Sequence, residues 1–66
     1  MIIHFYINGV RKPPRSLDEA PRLGETVQFL DNGPYSPPKY KVVRIHWVVG
    51  DHSEAHIFLK LAWTQL

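Results

Sequence analysis

The chain has 66 residues, a mass of 7.7 kDa and no cysteine, with 44% hydrophobic and 21% charged residues. That is room for one domain over residues 1–66, whose small core needs reinforcement by tight packing or self-association. Without cysteine, neither disulfides nor zinc–thiolate sites can supply it. No apolar run approaches the roughly 18 residues of a membrane helix. The opening Met1-Ile2-Ile3-His4-Phe5-Tyr6 has no basic leader, so a soluble, cytoplasmic protein is expected. A net charge of +2 and a pI near 9.2 favour anionic partners.

In chain order, Ile2 to Ile7 is an apolar and aromatic run that predicts a strand. It ends at Asn8-Gly9, a dipeptide suited to the positive φ values of a type I′ hairpin turn. Val10-Arg11-Lys12 is a short return strand, stopped by Pro13-Pro14. Ser16-Leu17-Asp18-Glu19-Ala20 has a capping-box pattern, but Pro21 limits it to a single helical turn at most. Gly24 to Leu30 is the next strand, and Asp31-Asn32-Gly33-Pro34 the turn after it. Tyr35-Ser36-Pro37-Pro38 reads as a stiff extended loop, able to shield an edge or present a docking surface. Lys39 to Val49 is the longest strand, rich in β-branched residues. Gly50-Asp51 closes it, and Ala55 to Trp63 is the last strand. Five strands with local turns and no crossover helix predict an all-β protein, either an antiparallel meander or a small SH3-like or OB-like barrel.

Strand side chains alternate between faces, so odd and even positions sort them. Ile3, Phe5 and Ile7, Val27 and Phe29, Val43, Ile45, Trp47 and Val49, and Ile57, Leu59, Leu61 and Trp63 form the predicted core face. The opposite positions are Ile2, His4 and Tyr6, then Tyr40, Val42, Arg44, His46 and Val48, then His56, Phe58 and Lys60. This second face mixes rings, aliphatics and cations. The acids Asp18, Glu19, Glu25, Asp31, Asp51 and Glu54 all fall in predicted turns, loops or strand starts, leaving it without a carboxylate.

A nucleotide or nucleic-acid site needs cations for phosphates and rings for bases. Tyr6, Tyr40, Arg44, His46, His56 and Lys60 are the candidate ligand-binding residues on that basis. The same aromatic and basic face could instead bury against a partner protein or a second copy of the chain, since small chains gain core by pairing. A homo-oligomer is therefore expected. His4, His46 and His56 share the face, but with no acid in evidence beside them the pattern predicts neither a metal site nor another cofactor. Asp51-His52-Ser53-Glu54 holds triad-type residues, yet adjacency in a turn does not make triad geometry. The expected function is thus binding, with no catalytic residue assigned.

From Arg22 to Trp63, the strand Gly24-Glu25-x-Val27-x-Phe29 and the later Tyr40-x-Val42-x-x-Ile45-x-Trp47 resemble a set of small phage, prophage and bacterial β proteins. Small phage proteins include inhibitors of bacterial immunity that block a nuclease complex or sequester a signalling nucleotide. The proteins that carry the quoted pattern have no assigned activity, so a role of that kind is carried over by likeness of size and style and assigns no residue.

Overall fold

The computed structural model describes residues 1–30 and 37–62. Six strands appear: β1 (Ile2–Ile7), β2 (Val10–Arg11), β3 (Arg15–Ser16), β4 (Thr26–Val27), β5 (Tyr40–Val48) and β6 (Glu54–Leu61). They form one curled sheet, a half-barrel in the order β2-β1-β6-β5-β4, with β3 paired to β1 beyond β2. The all-β expectation holds, and no helix occurs among the described residues. Instead of a helical turn, Ser16 pairs with Ile2, and bends follow at Asp18 and Glu19. The predicted strand over Gly24 to Leu30 contracts to Thr26–Val27. The predicted turn Asp31-Asn32-Gly33-Pro34, the residues Tyr35 and Ser36 of the stiff loop, and core candidate Trp63 lie outside the described residues.

The hairpin between β1 and β2 forms as its sequence requires. Asn8 and Gly9 take φ values of 53° and 78°, the two positive angles of a type I′ turn. The last long strand departs from a meander. β6 lies between β5, to which it is antiparallel, and β1, to which it is parallel. Its alternation explains the choice. Ala55, Ile57 and Leu59 sit in register with Ile3, Phe5 and Ile7, so both strands put apolar side chains on the same face. The long connection that a parallel pair requires is supplied by everything between them.

The core is Ile3, Phe5, Val42, Ala55, Ile57 and Leu59, each at most 2% exposed, with Ile7, Ala20, Val27, Phe29, Tyr40 and Ile45 packed around it. Phe5 meets Phe29 edge to face at 5.1 Å. Val42 opposes Leu59 while Arg44 opposes Phe58, so Val43 is an inserted residue, a β-bulge. Past that point the strand's inward and outward positions exchange parity. The sequence-based sorting of Val42 outward and Val43 inward is therefore reversed, with Val43 42% exposed. Trp47, Val49 and Leu61, also assigned to the core, are exposed as well.

Candidate functional site

The outer face is built on three neighbouring strands, and register places its side chains in rungs. His4, His56 and His46 occupy one rung across β1, β6 and β5. Tyr6, Phe58 and Arg44 occupy the next. Ile2, Glu54 and Val48 lie on the other side of the histidines, and Lys60 faces Lys41 at the far end. Side chains directly opposed across strands stand about 4.5–5.5 Å apart at Cβ, so each rung is a set of contacts.

The rings use one another. His4 stacks on His56 at 4.6 Å with planes 14° apart, and Tyr6 stacks on Phe58 at 4.6 Å and 10°. The Arg44 guanidinium lies 5.2 Å from the Phe58 ring centre, approaching from β5 while Tyr6 approaches from β1. Phe58 is thus covered from both sides, a cation–π contact completing the column. His46 meets His56 at 6.0 Å with planes 64° apart and is the exposed ring of the rung.

His4 is buried although it is on the outer face, 6% exposed beneath its neighbours. Arg11 Nη2 lies 3.0 Å from His4 Nδ1, and Glu54 Oε1 lies 2.6 Å from His4 Nε2. A guanidinium can only donate, so Nδ1 is the acceptor and the ring hydrogen is on Nε2, donated to Glu54. Arg11, His4 and Glu54 therefore form a directed chain that satisfies a buried imidazole at both nitrogens. Tyr6 Oη is 2.8 Å from His56 Nδ1, which orients the second ring. No buried side-chain nitrogen or oxygen among the described residues lacks a partner.

Of the residues singled out from sequence, Tyr6, Arg44, His46 and His56 come together, and Lys60 lies one rung beyond Phe58. Tyr40 does not join them. It precedes the bulge, so it points to the core side, with its ring 6.1 Å from Phe29. Nor is the face free of acid, because Glu54 is the first residue of β6 and shares the parity of His56. Starting that strand one residue earlier would have revealed it. Arg11 and Lys41 belong to the face as well. Arg11 joins through its register with Tyr6, and Lys41 through the parity change at Val43. The triad-like Asp51-His52-Ser53 is the connection between β5 and β6, and the Glu54 carboxylate is bonded to His4.

Enclosure on this face lowers the His56 pKa from its ordinary 6.5. The first cause is desolvation, followed by the repulsive fields of His4, His46 and Arg11, with Glu54 opposing. The unfolded chain then binds the proton more readily than the folded one, so folding stability is full above about pH 6.5 and falls as pH drops below it. Urea midpoints measured from pH 8 to pH 5 should decline over that window, and His56→Gln should flatten the decline. An unchanged slope in His56→Gln would show that other groups cause it.

No helix among the described residues is long and apolar enough to cross a membrane. No protein family, curated protein or solved structure matches the chain.

Proposed function

We propose that the protein is a non-enzymatic binding protein whose outer sheet face takes a phosphate-bearing ligand, a nucleotide or short oligonucleotide. The observation that carries this reading is the Lys41–Lys60 rung, with Arg44 close by on β5. Like charges directly opposed across strands destabilise a sheet. Among the described residues no carboxylate forms an ion pair with any of these three cations. A bound phosphate relieves that repulsion. Because Phe58 is already covered by Tyr6 and Arg44, the exposed His46 ring is the better stacking partner for a base. Sequestration of a signalling nucleotide in the cytoplasm, the role of some small phage-borne inhibitors, is the most concrete form of this reading.

The second reading, docking of a partner protein, has its own support. β4 and the two residues before it cover β5 only as far as Val42, and Val43, Trp47 and Val48 are 42–48% exposed beyond it. Unpaired strand edges accept further strands, and a second copy of this chain would extend the sheet.

One titration separates the two. Binding of a labelled oligonucleotide should weaken with a log–log salt slope of about −2 for three cations. Lys60→Ala should reduce that slope by about 1. Salt-insensitive binding, or binding lost in Trp47→Asp and untouched in Lys60→Ala, would transfer the function to the β5 edge.

A further inference from the structure

We propose that the cleft between Ile7 and Phe29, rimmed by Lys12, Pro13 and Arg15, binds a small amphipathic carboxylate, an organic acid whose apolar body is one ring or a short chain. The cleft follows from the way the sheet ends. β2 and β4 close the two ends of the strand order, and no pairing joins them among the described residues, so the curl stays open. Phe29, after β4, reaches back across to Phe5 on β1, edge to face at 5.1 Å. Ile7 and Phe29 pack on the core yet remain only half-buried. Their free apolar surface lies in a cavity of about 270 Å³. Ligand sites for drug-sized molecules run from roughly 300 to 1,000 Å³ and are common in the mouths of barrels. A cavity just below that range suits a smaller molecule.

The rim supplies the charge. Lys12 is exposed, and no carboxylate of the described residues forms an ion pair with it. The Arg15 guanidinium lies 4.9 Å from the Phe29 ring centre, a cation–π contact that makes one wall aromatic and positive at once. Among the described residues that line the cleft there is no Asp or Glu. A carboxylate at the mouth therefore meets Lys12, while the body behind it takes water off Ile7 and Phe29, a gain of about 25 cal/mol per Å² of apolar surface. A neutral analogue forgoes the first contact, and an amine is repelled. Both cations stand on anchored backbone. The Lys12 N–H donates to the Phe5 carbonyl at 2.8 Å, and Arg15 pairs with Ile3. Pro13, between them, has its φ fixed by its ring. The cleft is thus formed before the ligand arrives, which lowers the ordering cost of binding. It lies on the core side of the sheet, so this site and the phosphate reading of the outer face stand or fall separately.

The test is titration of the whole chain with hydrocinnamate, with hydrocinnamide and with phenylpropylamine, followed by amide nitrogen–proton correlation NMR. Hydrocinnamate should shift the backbone amides of Ile7, Lys12, Arg15 and Phe29 saturably, with a dissociation constant of about 1 mM or tighter. Hydrocinnamide should bind the same residues about 2–5-fold more weakly, the size of one exposed ion pair, and phenylpropylamine more weakly still. Lys12→Gln should weaken hydrocinnamate by the same factor and leave hydrocinnamide unchanged. Lys12 is exposed, so the variant retains the fold. Arg22→Gln removes an exposed cation that does not line the cleft and should bind as the wild type does. Three results would each overturn the site: no saturable shift below about 10 mM, hydrocinnamide binding as tightly as the acid, or shifts centred on Arg44, His46 and Lys60 in place of the cleft.

Discussion

Val42→Lys is expected to abolish the folded state, while Val43→Lys leaves stability within about 0.5 kcal/mol of wild type. The two positions are adjacent and carry the same side chain. Val42 is 1% exposed and packs with Leu59 and Ile57 in the core, whereas Val43 is the extra residue of the bulge and is 42% exposed. An unpaired ammonium at position 42 would lose its hydration with nothing to replace it, at a cost of several kcal/mol. A chain of this size rarely has more than about 3–5 kcal/mol to lose. Circular dichroism and urea titration of the two variants decide the matter. If Val43→Lys were the one that unfolds, the bulge would be misplaced, and with it the exclusion of Tyr40 from the outer face.

Phe5→Ala should be equally damaging, by about 3–5 kcal/mol, the range for emptying a buried aromatic site. The ring is 2% exposed, stands edge-on to Phe29 and shares a rung with Ile57 on the central strand. Ile3 and Ile57 beside it are already fully buried and have no further surface to gain by moving into the space. Amide chemical-shift dispersion should be lost at room temperature. A variant that still unfolds cooperatively, within about 1 kcal/mol of wild type, would show that the β1–β6 seam contributes little.

Alternation was enough to place β1 and β6. Every second residue of each is apolar without interruption, so Ile3, Phe5, Ile57 and Leu59 fall correctly into the core. The same arithmetic gave His4, Tyr6, His56 and Phe58 as outer-face residues. It failed in β5 because both Val42 and Val43 are good strand residues. A one-residue slip leaves no trace when neighbouring side chains are identical. That slip moved Tyr40 inside and brought Lys41 out to face Lys60. The parallel seam was illegible for a different reason. Turn residues report only local connections, and nothing near Ile7 or Glu54 signals that strands so far apart in the chain will pair. Once that seam is known, the Arg11–His4–Glu54 chain follows from it, since Glu54 reaches His4 only across the β1–β6 boundary.

That boundary also sets the order of events during synthesis. β1 leaves the ribosome long before β6, its partner along one edge, so Ile3 and Phe5 wait uncovered until β6 has followed. Pairing over such a separation is slow, and the waiting apolar surface is open to aggregation. The early hairpin with β2, which the folded sheet keeps, covers the other edge of that strand in the meantime. Expression yield should therefore respond to changes in the Asn8-Gly9 turn more sharply than the purified protein's equilibrium stability does.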